Sequence, residues 1–190
     1  MELVEWQKID TESKLVMCWW THPFLDVMQT WDLKDATWLE FGAGLGTAWL
    51  RYKCKWVDTI EANWKWAEIA YSECHRHSLS NGIICIKQLA DCAGLQNEYF
   101  DLIPTDKCYN YISVDGIYRT EAVEWSINHL KKEGGILVVD NLDQDFIWIS
   151  PKAMELLAPY PCEIFIQPDH INHEGKPWNT RFYKIEKCIK

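Results

Sequence analysis

Between positions 37 and 47 an apolar run, TWLEF, breaks into three alternating glycines, Gly42, Gly44 and Gly46, and ends at Thr47. This junction constrains the fold more than any other stretch of the chain. A five-residue apolar run reads as a buried strand, and the residues 47–55 that follow read as a helix. Glycines between the two let the backbone turn sharply and come close to a ligand, with a helix N-terminus behind it. A strand, a tight glycine turn and a helix are the opening of a parallel α/β unit.

The rest of the sequence continues that alternation. Strands are predicted at 56–61 (WVDTIE), 83–88 (IICIKQ), 111–114 (YISV) and 136–139 (ILVV). Helices are predicted at 63–79, stopped by Asn81-Gly82, at 120–132, stopped by Gly134-Gly135, and at 151–157. Two closing strands, 162–167 and 181–186, flank a polar loop containing His170, His173 and Trp178. Residues 136–139 are apolar throughout, as a strand covered on both faces must be. The expectation is an α/β, three-layer sandwich with a mostly parallel sheet. In such sheets ligands bind beyond the carboxyl ends of the strands, where the strand order reverses.

Size and charge exclude other classes. A chain of 190 residues makes one domain, residues 1–190, with 1–35 as an N-terminal cap segment and 36–190 as the core. No apolar run reaches the roughly 18 residues of a membrane helix, and the N-terminus lacks the pattern of a secretory signal. The net charge of −9 disfavours nucleic-acid backbones as partners. The eight cysteines show no C-x-x-C spacing and read as small, reduced hydrophobes, which gives a cytoplasmic expectation. Cys74, His75 and His77 offer too few ligands on one helix face for zinc.

The glycine loop is G-x-G-x-G, not the G-x-G-x-x-G/A of dinucleotide sites, with Thr47 at the third glycine's place. Glu40 precedes it, and Glu61 ends the next strand nineteen residues after Gly42, where a carboxylate can accept from both ribose hydroxyls of an adenosine. LEFGAGLGT, TIEAN and Leu89-Ala90-Asp91 together resemble the first three motifs of the class I S-adenosylmethionine-dependent methyltransferases, over roughly residues 36–186. The resemblance implies a Rossmann-like sheet of seven strands, the last antiparallel and inserted beside the fifth. It implies S-adenosylmethionine as cofactor, with Glu40, Gly42, Ala43, Gly44, Gly46, Thr47, Glu61, Ala62, Asp91 and Asp115 in its site.

The ends of the fourth and fifth strands carry a second set. Asp115-Gly116-Ile117-Tyr118-Arg119 and Asp140-Asn141 lie 25 residues apart, so adjacent parallel strands bring them to one edge. Asp115, Asp140 and Asn141 are hard oxygen ligands suited to Mg²⁺ or another divalent cation; the competing reading is a helix cap and a polar turn. The layout resembles the catechol-type O-methyltransferases, which hold a metal with an aspartate after strand four and an Asp-Asn pair after strand five. Tyr118 stands where those enzymes carry a lysine base, so no lysine base transfers to this chain. Asp115, Tyr118 and Arg119 are then the candidate catalytic residues.

The N-terminal segment Trp19, Trp20, Thr21, His22 and Pro23 reads either as a cover over the site or as a helix packed on the sheet. The chain lacks the Asn/Asp-Pro-Pro-Tyr/Phe signature of enzymes that methylate DNA amino groups. The resulting expectation is O-methylation of a small-molecule acceptor, metal-assisted, with a homodimer left open. The alternative is an adenosine- or dinucleotide-binding protein, or an oxidoreductase with a variant glycine loop.

Overall fold

The computed structural model describes residues 7–87, 99–103, 106–131, 134–142, 151–171 and 177–185. Seven strands form one sheet: β1 Thr37–Phe41, β2 Trp56–Glu61, β3 Gly82–Ile86, β4 Tyr111–Val114, β5 Gly135–Asp140, β6 Cys162–Ile171 and β7 Pro177–Ile185. Among the described residues five helices flank it: α1 His22–Met28, α2 Gly46–Lys53, α3 Trp64–Arg76, α4 Arg119–His129 and α5 Pro151–Leu157. The strand order is β3-β2-β1-β4-β5-β7-β6. Strands β1 to β5 pair in parallel, and β7 runs antiparallel between β5 and β6. The order reverses between β1 and β4, so the carboxyl ends of these two strands define where a ligand can enter.

Alternation along the strands builds the two faces. On β1, Leu39 and Phe41 pack with Ile60, Val114, Leu137, Val139 and Tyr99 on one side. Trp38, one residue out of phase, packs with Val57, Val138, Phe182, Phe24 and Trp49 on the other. Trp38 and Trp49 are fully buried, so much of the tryptophan content is core. Trp38 lies flat on Tyr111, with ring centroids 4.9 Å apart, and its indole N–H donates to Ser113 Oγ at 3.0 Å. That bond satisfies the polar end of a side chain otherwise buried in hydrocarbon.

Several boundaries differ from the sequence expectation. α3 ends at Arg76, not near Leu79. Ser78 takes the left-handed conformation at φ 56°, the Leu79 N–H reaches Cys74 O at 2.9 Å, and the Ser78 N–H reaches His75 O at 3.1 Å. This is a Schellman cap with serine where glycine is usual. Asn81 instead holds the end of α2 to β2, its amide donating to the carbonyls of Arg51 and Cys54, each at 2.8 Å, and its backbone carbonyl accepting from the Val57 N–H at 3.0 Å. The closing strands are longer than expected, and His170 and Trp178 lie on β6 and β7, not in a loop. A register shift between Gln167 and Ile171 surrounds Pro168 and hides the strand alternation in the sequence. His173 lies outside the described residues. Among the six described free cysteines, Cys18, Cys54 and Cys74 are buried and Cys108 and Cys162 are exposed, so the reading of the cysteines as core hydrophobes holds for only part of the set. No described helix is long and apolar enough to cross a membrane.

Candidate active site at the reversal of strand order

The carboxyl ends of β1, β2, β4 and β5 open into a cleft of about 900 Å³. Glu40, Gly42, Ala43, Gly44, Gly46, Glu61, Ala62, Asp115, Tyr118, Arg119 and Asn141, all expected from the sequence, line it. Asp91 lies outside the described residues. Thr47 is buried just behind the glycine loop.

The loop is shaped by close approaches. Gly42 has φ +102°, and a Cβ there would stand 2.7 Å from the Gly116 nitrogen, so β1 and β4 meet where only glycine fits. A Cβ on Gly46 would come within 2.4 Å of Cys18 Cα, which shows how tightly the N-terminal segment is seated on the loop. Gly44 differs: nothing lies within 4 Å of the position its Cβ would take. The backbone there faces open cleft.

Glu40 lies under the loop, 5% exposed, and its Oε2 accepts from Thr47 Oγ1 at 2.8 Å and Thr59 Oγ1 at 3.1 Å. Thr47 Oγ1 also accepts from the Gly44 N–H at 3.1 Å, so the threonine relays the carboxyl's hold to the loop. Burial pushes the Glu40 carboxyl up to about 8, and the nearby Asp115 and Glu61 add to the rise. Glu61 is held by backbone: Oε2 accepts from the Ala43 N–H at 2.6 Å, and Oε1 from the N–H groups of Ala62 and Asn63, both at 2.7 Å. Burial raises its carboxyl too, against those bonds. Three of a carboxylate's roughly four acceptor sites are thus occupied. Glu61 can take one ribose hydroxyl as it stands, and a second only if the Ala43 bond yields.

At the other wall, Arg119 brackets the ends of β4 and β5. Its Nε donates to Gly116 O at 2.9 Å, Nη1 to Asp140 O at 2.5 Å, and Nη2 to Asp115 O and Asp115 Oδ1, both at 2.9 Å. The guanidinium holds three carbonyls and a carboxylate, which makes Arg119 a positioning residue and not a reacting one. Burial lifts the Asp115 carboxyl to about 6, while Arg119 and a bond from Trp20 pull it down. Tyr118 is the left-handed residue before α4, at φ 51°, and its ring packs edge-on against Tyr99. It is buried among aromatic side chains, in keeping with a packed ring at the cleft edge.

Asp115, Asp140 and Asn141 do share one edge, but their donors do not fit a divalent cation. Asp140 is fully buried, its Oδ1 accepting from Thr180 Oγ1 at 2.7 Å and its Oδ2 from Trp178 Nε1 at 2.8 Å and from the Asn141 amide. Asp115 Oδ1 already pairs with the Arg119 cation at 2.9 Å. A second cation would be repelled by Arg119, and it would find about one acceptor site left on Asp140, whose others are taken by neutral donors. Burial first, and then Asp115, raise the Asp140 carboxyl well above its usual range, against the pull of Arg119 and of the Thr180 and Trp178 hydrogen bonds.

Tryptophans complete the mouth. Trp19, Trp20, Trp64, Trp66 and Trp178 all line the cleft. Trp19 stacks on Trp178 with centroids 6.3 Å apart and tilts against Trp66 at 6.4 Å. Both readings of the N-terminal segment hold in part: Trp19 covers the cleft, while Trp20 is 3% exposed and stacks on Trp38 at the head of α1. The roles of Trp64 and Trp66 are not in the sequence reading; their place directly after Glu61-Ala62-Asn63 was the available signal.

The architecture is a Rossmann-like three-layer sandwich, a fold shared with solved methyltransferase structures. No protein-family model matches the sequence, and no curated protein matches it. Among solved structures the chain is similar to the O-methyltransferase TomG from Streptomyces achromogenes, determined with S-adenosylmethionine, with a TM-score of 0.59 and 17% identity over 80% of this chain and 74% of that one. It is similar to the precorrin-6y C5,15-methyltransferase from Geobacter metallireducens, with a TM-score of 0.60 and 16% identity over 84% and 85%. It is also similar to the N-methyltransferase NodS from Bradyrhizobium japonicum, determined with S-adenosylhomocysteine, with a TM-score of 0.56 and 16% identity over 80% and 79%.

Proposed function

We propose that this protein transfers a methyl group from S-adenosylmethionine to a small-molecule acceptor. The observation that carries the reading is a gathering of carboxyl groups: Glu40, Glu61 and Asp115 meet at the reversal of strand order beside the open backbone of Gly44. Three carboxyls in one cleft suit a ligand with a sulfonium and an ammonium group. They disfavour the pyrophosphate of a dinucleotide, which argues against an oxidoreductase. Glu61 would hold the ribose, and the loop at Gly44 would lie along the ligand. Bound there, the cofactor would supply a methyl group already activated on sulfur. The protein's remaining tasks are alignment and exclusion of water, served by the tryptophan-lined mouth. The oxygen-acceptor subtype rests on a metal that the strand-end donors do not fit, so the proposal is kept at methyl transfer to a small molecule.

Thermal unfolding with S-adenosylmethionine, S-adenosylhomocysteine and NAD⁺ tests this reading. At a hundred times its dissociation constant, the cofactor stabilises by about 2.7 kcal/mol, a rise of about 5–10 °C for a chain of this size. The rise should be larger at pH 8 than at pH 6. Glu40 and Asp115, lifted to about 8 and about 6, shed protons over that range. A cationic ligand favours the ionised carboxyls, so its binding releases protons and tightens as pH rises. The free protein should behave oppositely. Its Glu40 binds a proton that the unfolded chain has lost above about 4.5, so stability falls as pH rises from there towards 8. Glu61→Gln should weaken cofactor binding by about 1–3 kcal/mol, measured by calorimetry, because its amide turns a donor toward the backbone N–H groups. No shift with either sulfur ligand at millimolar concentration, or a larger shift with NAD⁺, overturns the reading.

A further inference from the structure

Asn141 is left-handed at φ 56° and only 5% exposed, and it lines the cleft. Its amide nitrogen donates to Asp140 Oδ2, the same oxygen that receives the Trp178 indole N–H at 2.8 Å. Asp140 is fixed from its other oxygen by Thr180, whose Oγ1 in turn accepts the Thr21 N–H at 3.0 Å. The network sets the orientation of the Asn141 amide: turning it over would place two oxygens against each other. Its Oδ1 is buried and has no hydrogen-bond partner among the described residues. A buried carbonyl oxygen without a donor costs free energy, which a ligand that supplies the hydrogen would recover.

The same carboxyl also anchors the aromatic wall. Trp178, keyed to Asp140, carries Trp19 stacked on it, and both rings line the cleft that Asn141 faces. A flat ring resting on this wall can turn an N–H or O–H toward Asn141 Oδ1. We propose that Asn141 and the Trp19–Trp178 wall form the acceptor subsite, which selects a planar ring bearing a hydrogen-bond donor. Asn141 reads the donor; the tryptophans bind the ring face. The residue expected from the sequence to be a metal ligand thus becomes a specificity determinant. The inference rests on the methyltransferase reading, because it places the acceptor beside the cofactor.

Indole and 1-methylindole are suitable probes, alike in shape and differing in one N–H. Their binding is measured by calorimetry on the full chain saturated with S-adenosylhomocysteine, whose own binding is recorded first. Wild-type protein should bind indole at least fivefold more tightly than 1-methylindole. Asn141→Gly, which keeps the left-handed backbone and removes the carbonyl, should bring the ratio close to one while S-adenosylhomocysteine binding is retained. Trp19→Ala should weaken both probes alike and leave the ratio unchanged. Failure of S-adenosylhomocysteine to bind defeats the functional reading. Normal binding of it, with equal affinity for the two indoles or none for either, defeats the acceptor subsite alone. A preference that persists in Asn141→Gly also defeats it.

Discussion

Gly44→Val is expected to abolish binding of S-adenosylmethionine and of its demethylated product while leaving the folded protein intact. The two halves of this result come from the same observation. Nothing in the protein lies within 4 Å of the position a Cβ would take at Gly44, and its backbone is not in the left-handed region, so a valine fits without strain. The space it fills is the cleft. Branched carbons there would occupy the space in which a ligand lies along the loop, so the side chain and the ligand cannot be seated together. Gly42→Val and Gly46→Val are different experiments. Their side chains would strike the Gly116 backbone and the Cys18 backbone, so they report on folding. Calorimetry with the cofactor, beside the thermal midpoint of the free variant, checks the prediction. Wild-type affinity in Gly44→Val would place the ligand elsewhere.

Arg119→Ala is expected to destabilise the fold by about 2–4 kcal/mol, less than loss of a wholly buried ion pair because the side chain keeps some contact with water. The thermal midpoint should fall by about 4–16 °C. Four hydrogen bonds to Gly116, Asp115 and Asp140 are lost together, and they join the ends of β4 and β5. Asp115 also loses the cation that lowers its carboxyl, so its protonation should move to higher pH. Arg119→Lys should recover only part of the loss, since one ammonium cannot span three carbonyls and a carboxylate. Denaturant unfolding of the three proteins at pH 7, with the Asp115 titration followed by NMR, measures both effects. An alanine variant within 1 kcal/mol of wild type would remove the bracket from this account.

The strand-and-helix order was legible because its signals are local. Apolar runs such as TWLEF and ILVV, and glycines that stop or turn the chain, state the element type within a few residues. Errors gathered where a local cue had a competitor. Asn81-Gly82 looks like a helix stop, yet Ser78 caps α3 and Asn81 pins the neighbouring carbonyls. Pro168 hid the outer half of the β6–β7 hairpin, which carries Trp178 into the cleft.

Sequence alone determined that Gly42, Gly44, Gly46, Glu61, Asp115, Asp140 and Asn141 meet at one edge of a parallel sheet. Strand ends and spacing dictate that, whatever the side chains then do. It could not assign those side chains their partners, because a carboxylate, an amide and a guanidinium have the same spacing whether they bind a metal or each other. Only the tertiary structure decided that Arg119 occupies the place of a cation, and that Thr180 and Trp178, from the antiparallel strand, satisfy Asp140. The Arg119–Asp115 pair is local, but the contacts to Asp140 cross 21 to 40 residues of chain, and those from Thr180 and Trp178 depend on how β7 inserts beside β5, which no local pattern encodes.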